Sequence, residues 1–88
     1  MYNEMYERIN WLGFVFKENS KNCSTYGQLK RNYQDTCSRI KEERWLARKL
    51  RNLGIMTSEE CDKISVHVDY VLQDVHTWFL ATEIVDYN

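Results

Sequence analysis

A row of cations is the part of this sequence whose side chains could most directly bind a ligand. The row comprises Lys30, Lys41, Arg44, Arg48 and Arg51. Its last four members are three or four residues apart, so a helix would place them on one face. Such a line can hold the phosphates of a nucleic acid or of a nucleotide. The alternative is a ladder of ion pairs to an acidic helix, each worth at most about 1 kcal/mol when exposed.

Basic and acidic residues are concentrated in different segments of the chain. This distribution is compatible with either role of the basic row, ligand binding or ion pairing to an acidic helix. Residues 21–53 contain nine Lys or Arg and three Asp or Glu, whereas residues 54–88 contain one Lys and seven Asp or Glu. The formal net charge of the whole chain is only −1. Four residues of the acidic segment are spaced by seven and form a second line, namely Asp62, Asp69, His76 and Glu83. The sequence leaves open whether the row serves the fold or a phosphate-bearing partner.

A second group of candidate binding residues lies near the amino terminus. Tyr6 and Trp11 could stack on a nucleobase, and Lys17 and Lys21 could contact its phosphate. For Tyr6 the alternative is a place in the core, because it follows the apolar spacing of its segment.

No pattern typical of a catalytic or metal site is present in the sequence. His67 and His76 are nine residues apart and would lie on opposite sides of a helix, and the three cysteines contain no CxxC pair. There is no Ser/His/Asp or Cys/His arrangement and no glycine-rich phosphate loop. We therefore expect a protein that is not an enzyme and holds no metal or cofactor.

Three helices are predicted to position these residues within a single domain of residues 1–88. The spacing of apolar residues indicates helix 1 over about 2–16, helix 2 over about 26–53 and helix 3 over about 58–84, with a polar loop over 17–24. The sequences TYGQ from residue 25 and TSEE from residue 57 are capping boxes that begin helices 2 and 3. Gly54 follows directly where helix 2 should end.

The expected fold is all-α, with a short N-terminal helix followed by a long antiparallel helical hairpin. The short turn at Gly54 makes helices 2 and 3 antiparallel neighbours, and counting outward from it pairs Tyr33 with Trp78 and Arg44 with His67. Helix 1 is too short to cover this hairpin, so we expect a homo-oligomer formed through hairpin faces. The candidate interface residues lie off the main apolar stripes and are Phe14, Val66, Tyr70, Leu80 and Ile84.

The expected location is the cytoplasm. No apolar run approaches the roughly 20 residues of a membrane span, and the first residues are too charged for a signal peptide. The cysteines should then be reduced.

Three short stretches resemble a family of phage proteins. They are FVFK from residue 14, GQLKRNY from residue 27 and WFLA from residue 78. Together with the layout of residues 11–84, they resemble the helical-hairpin proteins that sequester cyclic oligonucleotide immune messengers, the anti-CBASS sponges and their relatives against Thoeris signals. The resemblance implies an oligomer in host cytoplasm whose subunits share pockets, with Tyr6 or Trp11 stacking the base and Lys17 or Lys21 at its phosphate.

Three functions follow as hypotheses. The first is a non-enzymatic oligomer that sequesters small cyclic oligonucleotides as a viral counter-defence. The second is a small regulator that binds RNA or DNA through the basic row. The third is a protein–protein inhibitor whose acidic helix 3 occupies a basic surface of its target.

Overall fold

The computed structural model describes residues 1–82, which form three α-helices and no strand. α1 spans Tyr2–Ser20, α2 spans Tyr26–Asn52 and α3 spans Ser58–Ala81. The prediction of an all-α chain with three helices is therefore confirmed for these residues. The predicted end of helix 3 near Ile84 lies outside them.

α1 continues past the predicted end at Phe16, so the first turn of the predicted loop is helical. The Ser20 hydroxyl donates to the Phe16 carbonyl at 2.7 Å, and Asn32 Nδ2 of α2 donates to that carbonyl at 3.2 Å and to Ser20 Oγ at 3.1 Å. These tertiary contacts stabilise a polar turn whose composition alone indicated a loop.

Both predicted capping boxes are formed. Thr25 Oγ1 accepts from the Gln28 amide at 3.2 Å, and the Gln28 side chain accepts from the Thr25 amide at 3.3 Å. Thr57 and Glu60 make the same reciprocal pair at 3.1 and 3.0 Å. Hydrogen bonds from Thr57 stabilise the carboxylate and lower the pKa of Glu60. Each long helix therefore begins at a signal encoded within four residues.

The turn between α2 and α3 needs glycine at one position. Gly54 has φ +75°, a backbone region that side chains disfavour. The amides of Ile55 and Met56 both donate to the Leu50 carbonyl, at 2.9 and 3.2 Å, which satisfies one of the last carbonyls of α2.

Contacts between α2 and α3 occur in reversed order along the two helices. Near the start of α2, the Tyr33 ring stacks on Phe79 with centroids 4.3 Å apart, and its hydroxyl lies 2.8 Å from His76 Nδ1. Further along α2, Arg44 forms an ion pair with Asp69. Both contacts lie within a few residues of the register counted from the turn.

α1 completes the core by lying against both other helices. Met5, Ile9 and Phe16 of α1 are fully buried. Where α1 meets α3, Gly13 is buried, and a Cβ at that position would lie 3.0 Å from Val71 Cγ1. Glycine therefore suits this close approach, and a larger side chain would force Val71 or the helices to shift.

An ion pair joins α1 to α2. Arg8 donates to Glu43 through Nε at 2.5 Å and through Nη2 at 2.7 Å, and the Glu43 side chain is only 11% exposed. The hydrogen bonds to Glu43 raise the pKa of Arg8. Removing Arg8 would leave a carboxylate largely shielded from water without its partner, which is costly.

The three helices make an elongated body with principal extents of 53 × 16 × 16 Å. Across the residues described, none of its helices combines the length and the apolar character needed to cross a bilayer.

The packing at Gly13 generates a prediction about stability. Gly13→Leu should lower the free energy of unfolding by about 1–3 kcal/mol, because the larger side chain overpacks the contact with Val71. Gly27→Ala is the control, since a Cβ there meets only Thr25 Oγ1 at 3.9 Å. That change should be neutral or stabilise by up to about 1 kcal/mol. Urea denaturation followed by circular dichroism measures both, and equal stability of the two variants would contradict the described packing of α1 on α3.

Candidate functional site

The basic row lies along one side of α2 and is mostly solvent-exposed. Lys30, Lys41, Arg48 and Arg51 are exposed, and none of them forms an ion pair with another described residue. Within residues 1–82, the predicted series of ion pairs between α2 and α3 therefore consists of a single pair, Arg44 with Asp69.

Arg44 differs from the other members of the row because it is used by the fold. Its side chain is partly buried between α2 and α3, where Nη2 donates to Asp69. Its Nε is buried and has no hydrogen-bond partner within the described part of the chain. Arg44 is thus poorly placed to bind a ligand, and the row has a gap at this position.

Trp45 lies beside the basic row on α2 and was missed in the sequence analysis. Its side chain is 62% exposed, and Lys49 Nζ lies 5.2 Å from the ring centroid, within cation–π range. Because Lys41, Trp45 and Lys49 are four residues apart, they share one side of the helix. A tryptophan off the apolar stripe and between cations is a signal that the sequence already contained. We call Lys30, Lys41, Trp45, Arg48, Lys49 and Arg51 the basic face.

A groove of about 430 Å³ borders the basic face on the α3 side. Lys41 lies on its α2 wall, and Asp69, Gln73 and His76 lie on its α3 wall. Polar side chains that can donate and accept hydrogen bonds therefore lie beside the cations.

The four residues predicted to bind a nucleotide near the amino terminus do not form one cluster in this chain. Tyr6 lies about 16 Å along α1 from Lys17 and about 22 Å from Lys21, at 1.5 Å per residue. Lys17 pairs with Asp74 at 2.7 Å, and Lys21 pairs with Glu18 at 3.1 Å. Both lysines thus have carboxylate partners within the described residues. Trp11 is 60% exposed and stacks on Phe14 with centroids 5.7 Å apart.

Tyr6 belongs to a different group of residues, on the side where α1 faces the first half of α3. Its ring stacks on His67 with centroids 3.8 Å apart and planes 11° apart. Tyr2 and Tyr70 extend this stack at its two ends, at 6.1 Å from Tyr6 and 6.3 Å from His67. The rings line a groove of about 640 Å³, which we call the aromatic groove.

His67 is the buried member of the aromatic groove. Its Nε2 lies 2.8 Å from Asn10 Oδ1, which fits a neutral ring that donates through Nε2–H. Burial lowers the pKa of His67, because the charged form would lose hydration. The imidazole is therefore neutral near pH 7.

The predicted interface residues all reach solvent where they are described. Phe14, Val66, Tyr70 and Leu80 are exposed, with Val66 and Tyr70 lining the aromatic groove. Ile84 lies outside the described residues. An exposed position is compatible with an interface between copies, and the homo-oligomer remains a prediction.

No group of three or more His, Cys, Asp or Glu side chains within residues 1–82 is arranged to hold a metal ion. Comparison with known proteins gave no match to a protein-family model, a curated protein or a solved structure.

The burial of His67 predicts a pH-dependent stability. In the unfolded chain the imidazole takes a proton near its ordinary pKa of 6.5, whereas in the fold it takes one only at lower pH. The free energy of unfolding should therefore be highest above about pH 6.5 and fall as the pH drops below it.

Urea denaturation at several pH values tests this prediction. His67→Gln should flatten the change below pH 6.5, while His76→Gln, which alters an exposed histidine, should leave it in place. An unchanged pH profile in His67→Gln would show that another group is responsible.

Proposed function

We propose that this protein is a non-enzymatic binding protein whose basic face contacts the backbone of single-stranded RNA or DNA. The observation that carries the proposal is an exposed Trp45 among cations that no described carboxylate neutralises. Lys and Arg supply affinity for phosphates, and an exposed indole supplies a surface on which a base can stack.

The dimensions of the basic face fit an extended strand. From Lys30 to Arg51 the face runs for about 30 Å at 1.5 Å per residue, long enough to follow several phosphates. The adjoining groove with Lys41, Gln73 and His76 offers polar groups to a base edge. Ten of the 13 acids lie outside α2, so attraction would be strongest on this side, where Glu42 is an exposed acid beside Trp45.

A second candidate function is the sequestration of small cyclic oligonucleotides suggested by the phage-protein resemblance. The exposed Trp11–Phe14 stack favours it, because a base could lie on that surface with Lys17 one turn further along α1. Lys17 would have to exchange Asp74 for the phosphate. A shared pocket between copies would supply further contacts, as the resemblance implies.

Association of copies is a separate part of the proposal. The helical hairpin of α2 and α3 would pair with other copies through exposed apolar side chains such as Leu80, which is 68% exposed. Burying such side chains between copies removes apolar surface from water, which favours association.

Strand binding predicts distinct effects for the cations and for Trp45. Affinity for a short single-stranded RNA should fall steeply with salt, and Arg48→Ala should reduce that salt slope by about one. Trp45→Ala should cost about 1–3 kcal/mol of binding with little change in slope, because stacking releases no counterion. The control is Arg39→Ala, which removes an exposed cation of α2 outside the basic face.

Calorimetry with the single-stranded RNA, a cyclic dinucleotide and a cyclic trinucleotide separates the two candidates when Trp11→Ala is added to these variants. If the strand binds the basic face, Trp45→Ala should lose affinity for RNA and Trp11→Ala should not. If a cyclic nucleotide binds on α1, Trp11→Ala should lose affinity for it and Trp45→Ala should not. Equal loss from Arg39→Ala and Arg48→Ala would reject a specific basic face. No heat with any nucleotide would reject both and favour the protein-inhibitor hypothesis.

Association predicts a mass above 10.7 kDa by light scattering at micromolar concentration. Leu80→Glu should lower the mass, because a charge in an apolar interface is costly. Asn3→Glu is the control, since it adds the same charge at an exposed position of α1, outside α2 and α3. A wild-type mass equal to one chain would contradict association.

A further inference from the structure

The aromatic groove is separate from the basic face and has the opposite charge. It lies between the first turns of α1 and the first half of α3 and is a solvent-open groove of about 640 Å³. Its lining consists of Tyr2, Tyr6, Glu59, Asp62, Lys63, Val66, His67 and Tyr70. None of these residues belongs to α2, so the proposed strand-binding function does not use the groove.

Four rings give one wall of the groove a continuous aromatic character. Tyr6 and His67 are stacked nearly in parallel, and Tyr70 lies at 13° to His67. Tyr2 is tilted by 43° to Tyr6, which curves the wall at its open end. The face of a tyrosine ring carries a negative electrostatic potential that attracts cations.

The charged side chains of the groove reinforce that preference. Lys63 pairs with Glu59 at 3.3 Å, which leaves Asp62 as a carboxylate without an ion-pair partner in the described part of the chain. His67 is neutral near pH 7, so it does not repel a cation. A phosphate placed here would instead meet two carboxylates and a single lysine already paired with one of them, which is unfavourable.

We propose that the aromatic groove binds a small organic cation with a quaternary ammonium, alkylammonium or guanidinium head. The head group lies against the rings of Tyr6 and Tyr70, and Asp62 supplies the counter-charge. Val66 packs against the apolar part of the ligand. The groove is thus a second ligand site whose charge preference is the reverse of that of α2.

Choline is a suitable probe, and its uncharged dimethylbutanol analogue is the matched control. Titration followed by the amide NMR signals of residues 59–70 should give saturable shifts with choline and much smaller ones with the alcohol. Tyr70→Leu keeps an apolar side chain without a ring and should weaken binding by about two- to thirtyfold, while Tyr70→Phe keeps the ring face and should retain it. Asp62→Asn should also weaken binding, whereas Asp35→Asn, at an exposed acid of α2, should not.

Two results would overturn the proposal. Equal binding of choline and the alcohol would show a merely apolar groove, and equal affinity of Tyr70→Leu and Tyr70→Phe would show that the ring does not matter. Tyr70 and Asp62 are both exposed, so these variants should keep the fold, and the remaining NMR spectrum verifies this.

Discussion

The close contact of α1 with α3 at Gly13 is the constraint on which the other contacts between these helices depend. A Cβ at this position would lie 3.0 Å from Val71 Cγ1, so even a small side chain would require Val71 to shift by a few tenths of an ångström. At that separation Lys17 reaches Asp74, and Tyr6 and Asn10 reach His67. The aromatic groove exists because these two helices lie side by side.

The position of α1 also determines which charges of α2 remain available. Arg8 of α1 neutralises Glu43, one of the few acids of α2, and Lys17 neutralises Asp74 on α3. Asp74 faces α1, and among the described acids of α3 only Asp69 forms an ion pair with α2, at Arg44. The cations of α2 are left facing water, which explains how a chain with almost no net charge presents one strongly basic side.

Local signals made most of the helices predictable, whereas the candidate sites depended on packing between helices. The capping boxes at Thr25 and Thr57 are encoded within four residues, so the beginnings of α2 and α3 could be predicted.

The helical turn before Ser20 is stabilised by Asn32, twelve residues away, and composition does not reveal such a contact. The pairing of Tyr6 with His67 joins residues of α1 and α3 that are 61 positions apart, and only the packed fold brings these rings together. Trp45 was missed because the periodicity used to find core residues ignores a large apolar side chain outside the stripe.

The short connection between α2 and α3 contrasts with the long separation of α1 from α3 along the chain. Lys17 and Asp74 are 57 residues apart along the chain, although the short connection over residues 21–25 keeps α1 beside α2. A local opening in which α1 leaves α3 would remove Tyr2 and Tyr6 from the aromatic groove. A compound bound in the aromatic groove would stabilise the arrangement in which α1 lies against α3, and amide hydrogen exchange along α1 would therefore slow. Occupancy of the groove would thus be coupled to the local stability of α1.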